Sequence, residues 1–526
     1  MIVADVLAKA IKKEGINYIF GYPGGEVTHF IEAARKAGIR FILTKHENTA
    51  AFMASAFGEI TGKPGVCVST LGPGATNMAT GVANAYLERS PLIAITGNMN
   101  TSISQYATHQ ALDLIALYNP ITKWSGSVEP ESCVQIISKA IKFAKSGVQG
   151  PVHLNMASNI AAVEVEPREW EIAPDKPIST FTGDINQVCE DIKKAKRPII
   201  LAGLGVVKCD AHKELTQLAE ILHAPVITPP KAKGIIPENH ALSAGVIEML
   251  GDKVLIEMIE SADLIIAIGY DVVELDKQWT CHHIPTINID MIPNLDQFYP
   301  SYCDIFGDIK AIVSAMINNL EPEHTWDQDE IDDYKKRLFK IITKPSEDMA
   351  PHQVIKLTRE IMPRDTIATC DVGAHKMLMG QMWTTYEPRT FFMSNGLSSM
   401  GFGLPTAMAA KLLYPEKPVV TIIGDGGFGM SMAEIETCIR ENLPIIIVIL
   451  DDSTLSLIRM NQERKGFPSY GVTFSNPDVK KLAESFGAFG AKVENIQDYE
   501  ETLKQALELN KPAVIQAVVD PKPYRI

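Results

Sequence analysis

Short apolar runs alternate with amphipathic stretches along most of the chain. The runs 419–423 and 444–450 have the continuous hydrophobicity of strands buried on both faces, and the segment 432–442 between them has the apolar spacing of a helix. The same alternation recurs from one end of the sequence to the other, which predicts parallel sheets whose strands are joined by crossover helices. The predicted fold class is therefore α/β, built from doubly wound parallel sheets.

Breaks in this alternation divide the chain into three blocks. The Glu- and Pro-rich stretch 163–177 is typical of a linker, and the charged stretch 320–345 is typical of a connecting helix. We therefore predict three doubly wound domains, which span residues 1–165, 185–320 and 345–526.

Length and composition fit a protein of this kind. A chain of 526 residues is too long for one ordinary core, and its 46% hydrophobic and 21% charged residues are typical of globular proteins. The formal net charge of −14 argues against a nucleic-acid or anionic membrane surface as partner, because either would need clustered Lys and Arg. No apolar run approaches the length of a transmembrane helix.

The cysteine pattern and the amino-terminal sequence predict the cellular compartment of the protein. The eight cysteines are scattered without a close metal-type pair, so we expect reduced thiols, as in cytoplasmic proteins. Residues 1–13 predict an amphipathic helix with an early Asp and late lysines, which is unlike a signal peptide. These observations predict a cytoplasmic protein.

Carboxylates follow two neighbouring predicted strands. Asp425 lies in a Gly-Asp-Gly turn after the run 419–423, and Asp451 and Asp452 follow the run 444–450. Ligands of open α/β sheets bind at the carboxyl ends of strands, so Asp425 and Asp452 could hold a hard divalent cation that also binds a diphosphate. Taken alone, the turn is as consistent with a plain helix start, and the acidic pair with a solvated loop.

Three further turns follow apolar runs in the first block. The first turn contains Gly24 and Gly25, the second is the stretch 45–47 that ends in Glu47, and the third is the Gly-rich stretch 72–77. Together with the Gly-Asp-Gly turn, they resemble the motifs of the thiamin diphosphate enzymes over nearly the whole chain. The resemblance implies a pyrimidine-binding domain, a central Rossmann-like domain and a diphosphate-binding domain. A non-catalytic nucleotide-binding scaffold of Rossmann-like domains is the alternative from another class.

The resemblance assigns a catalytic role to Glu47. In this family the cofactor loses the proton on its thiazolium carbon to its own aminopyrimidine, and a glutamate bonded to the opposite ring nitrogen drives the required tautomerisation. Glu47 matches that glutamate, so we expect it in a rather dry pocket. The alternative is an exposed Glu in the first turn of a helix.

The resemblance also implies a set of residues around the cofactor. Met400 would prop the two rings, the backbone carbonyl of Ser398 would receive the 4′-amino group, and His375 would reach the diphosphate. Plain core filling is the alternative for the methionine, and a structural role for the histidine. The full set of expected cofactor-binding residues is Gly24, Gly25, Glu47, Pro73, Asn77, Ala374, His375, Ser398, Met400, Asp425, Gly426, Gly427, Asp452 and Thr454.

A magnesium ion is implied at the diphosphate. Its expected protein ligands are Asp425, Asp452 and the backbone oxygen of Thr454, which with two diphosphate oxygens suit an octahedral oxygen shell. The family usually has Asn-Asn where this chain has Asp451 and Asp452. The second carboxylate adds negative charge beside the diphosphate, so we expect altered metal affinity and pH dependence.

The segment 109–124 resembles the acetolactate synthases, especially the catabolic kind, and places Gln110 at a polar contact with the reacting substrate. This implies a carboligase that decarboxylates pyruvate and joins the hydroxyethyl unit to a second 2-oxo acid, giving 2-acetolactate. A 2-oxo acid decarboxylase and an acetyltransferase acting on sulfoacetaldehyde or phosphate share the cofactor apparatus and stay open. Asn461 stands where biosynthetic synthases have a Trp that narrows the acceptor pocket, so the acceptor is open too.

Two further expectations concern flavin and assembly. The stretches 244–246 and 269–271 depart from the flavin-binding pattern of the biosynthetic synthases, so we expect no FAD. In this family Glu47 of one subunit would meet Asp425 of another. We therefore expect a homodimer or homotetramer with active sites at the subunit interface.

Overall fold

The computed structural model describes residues 1–106, 108–166, 180–271, 273, 279–295 and 298–524. In this part of the chain, a first parallel sheet has the strand order β2-β1-β3-β4-β6-β5. Its strands are β1 (Tyr18–Tyr22), β2 (Arg40–Leu43), β3 (Gly65–Ser69), β4 (Leu92–Asn98), β5 (Trp124–Ser127) and β6 (Pro151–Ala157). The helices are α1 (Val3–Lys13), α2 (Thr28–Lys36), α3 (Glu47–Thr61), α4 (Pro73–Leu87), α5 (Leu114–Tyr118), α6 (Cys133–Lys145) and α7 (Ser158–Ala161).

A second sheet follows, with the order β10-β9-β8-β11-β12-β13-β7. Its strands are β7 (Phe181–Thr182), β8 (Pro198–Ala202), β9 (Val226–Thr228), β10 (Ser243–Val246), β11 (Leu264–Ile268), β12 (Thr286–Asp290) and β13 (Cys303–Gly307). All pairs are parallel except the edge pair of β13 with β7. The helices are α8 (Ile185–Lys194), α9 (Leu204–Lys208), α10 (His212–Leu222), α11 (Asp252–Glu260), α12 (Ile309–Ile317) and α13 (Gln328–Ile342).

The third sheet is again parallel, with the order β15-β14-β16-β17-β19-β18. Its strands are β14 (Ile367–Cys370), β15 (Phe391–Met393), β16 (Val419–Gly424), β17 (Ile446–Asp451), β18 (Phe489–Val493) and β19 (Ala513–Val518). The helices are α14 (Pro351–Ile361), α15 (Ala374–Met382), α16 (Gly403–Leu413), α17 (Asp425–Ser431), α18 (Ile435–Arg440), α19 (Ser456–Arg464), α20 (Val479–Ser485) and α21 (Ile496–Glu508).

These sheets confirm the predicted α/β class, and β16 and β17 pair in parallel as neighbours. The helical segment between them differs from the prediction of 432–442. It begins at Asp425, immediately after β16, and a 3-10 turn at Met432–Glu434 separates α17 from α18. Glycines in α17 leave no regular apolar spacing, so this first part of the helix was not predicted. Most of the expected linker 163–177 lies outside the described residues.

The first and third sheets share one hydrophobic core. Helices α3 and α16 pack together, and the rings of Phe52 and Phe402 meet edge to face with centroids 5.7 Å apart. A polar contact adds to this packing, because the backbone N–H of Lys45 donates to Glu434 at 2.9 Å. Among the described helices, none combines the length and the apolar character that crossing a membrane requires.

Candidate functional site

A cavity of about 270 Å³ lies at the carboxyl ends of β14, β16 and β17. Parallel strands open their carboxyl ends on the same edge of the sheet, so the turns that follow them converge there. The cavity brings together nine of the residues that the sequence singled out: Ala374, His375, Ser398, Met400, Asp425, Gly426, Gly427, Asp452 and Thr454.

Asp425 is buried at the end of β16 and accepts several hydrogen bonds. Its Oδ1 accepts from the N–H of Gly426 at 2.9 Å, and its Oδ2 accepts from the N–H of Ser453 at 2.7 Å and the amide of Asn476 at 2.8 Å. Burial raises the pKa of Asp425 to about 7, and the neighbouring carboxylates of Asp451 and Asp452 add to the rise. This accumulation of negative charge suits a bound cation.

Asp451 and Asp452 have different surroundings. Asp452 lines the cavity, and its carboxylate accepts from the N–H of Thr454 at 3.0 Å and the hydroxyl of Ser456 at 2.5 Å. Asp451 is buried beside the cavity and accepts from Gln516 at 2.5 Å. Of this acidic pair, the described lining of the cavity includes only Asp452, which is the one expected to bind the metal.

His375 in the first turn of α15 is buried, and this burial lowers its pKa to about 4. Its Nε2 has no hydrogen-bond partner in the described structure, although the side chain lines the cavity. The bare backbones of Gly373 and Gly424 make room for the ring, because a Cβ on either would lie 2.9 or 3.1 Å from it. A buried imidazole nitrogen without a partner fits a ligand oxygen, as a diphosphate would supply.

Ser398 and Met400 form another wall of the cavity. Ser398 has a left-handed backbone with φ of +52°, and its hydroxyl lies 3.1 Å from the Nζ of Lys376. Met400 lies against the Gly-Asp-Gly turn, since a Cβ on Gly426 would be 3.1 Å from the methionine Cε. Lys376 was not singled out from the sequence, where a helical lysine carries no signal of such a contact.

Glu47 is the first residue of α3, a helix that packs against the first sheet, and it is 8% exposed. Its Oε2 accepts a hydrogen bond from the amide of Asn77 at 3.0 Å. Gly74 lies against the other oxygen, because a Cβ there would be 3.2 Å from Oε1. The start of α3 and the Gly-rich start of α4, which includes Pro73, thus meet at the carboxylate.

The remaining predicted residues, Gly24, Gly25 and Gln110, lie near the turn between β3 and α4. Gly24 packs so closely on Thr70 that a Cβ would collide with its side chain, while Gly25 has open space around it. Gln110 is exposed, has φ of +56° and lies beside Gly72, where a Cβ would be 2.8 Å from the glutamine Cβ.

Among the described residues, those of the first block do not line the cavity at β14, β16 and β17. The described residues that line the cavity all lie between Val372 and Tyr524, so Glu47 belongs to a separate surface. Tyr524 itself was missed from the sequence, because a tyrosine near the end of the chain has no motif around it. Asn476 was missed as a polar partner of Asp425, because 51 positions separate the two residues and no spacing in the sequence relates them.

Three domain profiles match the chain. Residues 1–117 match the N-terminal TPP binding domain of the thiamine pyrophosphate enzymes, residues 185–316 match their central domain, and residues 371–517 match their C-terminal TPP binding domain. The order of the matches is the one that the motif resemblance implied.

Curated relatives align over nearly the full chain. A probable acetolactate synthase large subunit of Methanocaldococcus jannaschii is 33% identical over 98% of this chain and 92% of its own length. The acetolactate synthase of Bacillus subtilis and the isozyme 3 large subunit of Escherichia coli are each 30% identical, over 98% of this chain and 93% and 94% of their own lengths. The chain therefore belongs to the thiamin diphosphate-dependent enzymes, in the family that includes the acetolactate synthases.

Proposed function

We propose that the protein is a Mg²⁺-dependent carboligase that decarboxylates pyruvate and joins the two-carbon unit to a second 2-oxo acid, giving 2-acetolactate. The three relatives named above carry the name acetolactate synthase, which supports this reaction. The observation that carries the proposal is the unpartnered, buried Nε2 of His375 in the cavity that Asp425 and Asp452 also line. Such a site suits an anionic ligand together with a cation.

Thiamin diphosphate, when bound, would supply a thiazolium carbon for addition to the 2-oxo acid and a cationic ring that can take up the electron pair released by decarboxylation. The chain's residues bind and orient it. His375 would donate to the diphosphate, and Met400 and the backbone of Ser398 would hold the rings. Ala374, Gly426 and Gly427 would complete the wall.

Asp425, Asp452 and the backbone oxygen of Thr454 are the proposed Mg²⁺ ligands. All three residues line the cavity, and carboxylate and carbonyl oxygens are the ligands that Mg²⁺ prefers. The raised pKa of Asp425 supports a cation there, since a nearby positive charge would favour its ionised form.

Glu47 is the proposed catalytic carboxyl. Its side chain would hold and move a proton at a ring nitrogen of the cofactor, and its burial supports this role because few waters can compete for that proton. Asn77 would orient the carboxyl through its 3.0 Å hydrogen bond, and Pro73, Gly24 and Gly25 would shape the surface around it. Gln110 would contact the reacting substrate.

We also propose that the active site forms between subunits of a homodimer or homotetramer. Glu47 lies outside the cavity of its own chain, and large apolar side chains are exposed on both surfaces. In the segments of the chain that carry Gly24, Gly25 and Gln110 these are Tyr22, Ile103, Tyr106 and Leu112, and in the segments after Asp425 and Asp452 they are Met430, Ile458, Phe467 and Tyr470. Exposed apolar area of this kind is typical of an interface.

The proposal also includes the absence of FAD and a cytoplasmic location. The backbone N–H of Gly205 donates to the carbonyl oxygen of Gly269, with 2.8 Å between nitrogen and oxygen, and Asp271 is paired with Arg89 at 3.1 Å. The N–H of Gly205, the carbonyl of Gly269 and the carboxylate of Asp271 thus already have partners within the protein, which supports an enzyme without FAD. All eight cysteines are free thiols, which supports a cytoplasmic location.

The test of the reaction is an assay of purified protein with pyruvate, with and without thiamin diphosphate and Mg²⁺, followed by product identification. We expect 2-acetolactate only when both are present, and no flavin absorption band. Acetaldehyde alone would indicate a decarboxylase, and acetyl phosphate in phosphate buffer would indicate an acetyltransferase. Absence of any cofactor-dependent product would contradict the proposal.

Mixing two inactive variants tests the shared site. Glu47→Gln and Asp425→Asn damage opposite halves, so a mixed dimer would contain one intact site and one site with both changes. With random exchange of subunits we expect recovery to about a quarter of parent activity. No recovery, with exchange demonstrated by mass after isotope labelling of one variant, would place both residues in the same subunit's site.

A further inference from the structure

Three buried charged residues meet where the three sheets come together. The Nζ of Lys231 lies 2.5 Å from Glu59 and 2.7 Å from Glu88, and their side chains are 4%, 10% and 1% exposed. Glu59 belongs to α3, Glu88 follows α4, and Lys231 lies in the 3-10 turn after β9. Buried charges of this kind are retained only when each is paired.

Glu88 also contacts the segment 394–396, which follows β15 of the third sheet and precedes the cavity residues Ser398 and Met400. Its Oε1 accepts from the backbone N–H of Asn395 at 2.7 Å and of Gly396 at 2.9 Å, while its Oε2 accepts from Lys231. Both oxygens therefore act as acceptors toward N–H donors, which is the bonding pattern of a carboxylate. Charge-assisted hydrogen bonds to backbone N–H groups are among the stronger ones in proteins.

The segment 394–396 is fixed on the end of α4 by further contacts. Ser394 donates to the amide oxygen of Asn84 at 2.7 Å, and Gly396 packs so tightly that a Cβ would lie 2.6 Å from the carbonyl of Leu87. Two residues later, Ser398 has its left-handed backbone and donates its hydroxyl to the carbonyl of Asn395 at 2.9 Å. A non-glycine residue keeps such a conformation only when its surroundings hold it.

We infer that Glu88 is a positioning residue for the cofactor cavity: with Lys231 as its counter-charge, it fixes the backbone before Ser398 and so places Ser398 and Met400. Glu88 is not among the described residues that line that cavity, so it acts through the segment 394–396. This inference rests on the proposed function, since it concerns how the same cofactor site is held.

Lys231 supplies the positive charge that balances the Glu88 carboxylate at this buried position. The Nζ of Lys231 contacts both Glu59 and Glu88, so its positive charge offsets the repulsion between these two buried side chains. The central sheet thus supplies, through Lys231, the charge that lets Glu88 bind two backbone donors of the third sheet. The chain of contacts runs from one buried ion cluster to the wall of the cavity.

Two double variants isolate the hydrogen bonds from the charges. Glu88→Gln with Lys231→Met keeps an acceptor oxygen for the N–H groups of Asn395 and Gly396, whereas Glu88→Leu with Lys231→Met removes it. Both pairs change the buried charge identically. The measurements are the dissociation constant of thiamin diphosphate in Mg²⁺ by calorimetry, kcat with pyruvate, and the near-ultraviolet circular dichroism of the bound cofactor.

We expect the Glu88→Leu pair to bind the cofactor at least about tenfold more weakly than the Glu88→Gln pair, with lower kcat and an altered dichroism band, because two buried donors lose their acceptor. Equal affinity, kcat and dichroism in the two pairs would overturn the inference. If the Glu88→Leu pair does not fold, Ser394→Ala is the milder test. It should weaken cofactor binding in the same direction, and unchanged binding would overturn the inference.

The parent protein separates this inference from the proposed function. A parent that binds no thiamin diphosphate contradicts the proposed function itself. A parent that binds the cofactor and forms 2-acetolactate, together with two double variants that do not differ, contradicts only the role of Glu88.

Discussion

Asn476 donates its side-chain amide to Asp425 at 2.8 Å, although 51 positions separate the two residues in the sequence. The same nitrogen lies 2.8 Å from Asp451, so one amide joins the ends of β16 and β17. It lowers the pKa of Asp425, against the larger upward effect of burial. Asn476 therefore favours the ionised carboxylate that a Mg²⁺ ligand needs.

Removing that amide should weaken metal binding. In Asn476→Ala, the loss of a hydrogen bond to a charged group should raise the pKa of Asp425 further and raise the Mg²⁺ concentration for half-maximal activity about tenfold. The effect should be larger at pH 6 than at pH 8, because protons compete with the metal for Asp425. Activity titrated against Mg²⁺ at both pH values measures it.

Asn319→Ala is the control, since Asn319 is exposed in the central region and far from the site in sequence. It should leave the Mg²⁺ requirement unchanged. An equal requirement in Asn476→Ala and the parent would show that the amide does not act on the metal site.

His375 should bind the cofactor as a neutral imidazole. Burial lowers its pKa to about 4, so it stays unprotonated at pH 6 and above, and its contribution to affinity should not change between pH 6 and 8. His375→Ala should weaken thiamin diphosphate binding about tenfold at both pH values through the lost hydrogen bond. Calorimetric titration of the cofactor in excess Mg²⁺ is the measurement.

The partly buried His240, which lies 3.2 Å from Glu220 and outside the described lining of the cavity, provides a control. His240→Ala should bind the cofactor as the parent does. An affinity loss in His375→Ala that vanishes at pH 8 would instead indicate a protonated, charged histidine in the parent.

Glu47 and Glu59 lie on the same helix and allow a matched test of catalysis. Glu47→Gln should lower kcat by about 10² or more, because it removes the proposed proton-transferring carboxyl, while thermal stability stays near that of the parent. Glu59→Gln changes a carboxyl that contacts Lys231 and should keep activity close to the parent. Steady-state kinetics with pyruvate and thermal unfolding compare the two.

Comparable kcat in Glu47→Gln and the parent would remove Glu47 from the mechanism. Comparable losses in both variants would point to a general effect of replacing a glutamate of α3.

The strands around the cavity could be predicted because their signal is local. The runs that became β16 and β17 are apolar over consecutive residues, and the carboxylates after them follow from the rule that ligands bind at strand ends. The start of α17 at Asp425 was not predicted, because its glycines hide the helical period. Local patterns thus located the site but not the boundary of its helix.

The partners of these residues could not be predicted in the same way. Asn476 reaches Asp425, and Lys231 reaches Glu59 and Glu88, only because distant segments pack together. In the sequence each of these side chains is an ordinary polar residue, with no spacing that relates it to the others. Contacts set by tertiary packing leave no periodic trace along the chain.

Glu59 should make stability depend on pH. Burial raises its pKa from 4.5 to about 7, and Glu88 adds to the rise although Lys231 opposes it. The folded protein therefore holds a proton that the unfolded chain releases, so this contribution to stability is present below about pH 4.5 and is lost as the pH rises through 7.

Glu59→Gln removes this titration, so the stability of the variant relative to the parent should increase between pH 5 and pH 8. Midpoints of urea unfolding of the cofactor-free proteins at the two pH values measure the difference, and other titrating groups cancel because both proteins share them. Glu190→Gln, which changes an exposed carboxyl, should show no such trend. A constant difference between the parent and Glu59→Gln at both pH values would mean that Glu59 is ionised throughout, as a fully compensated partner of Lys231.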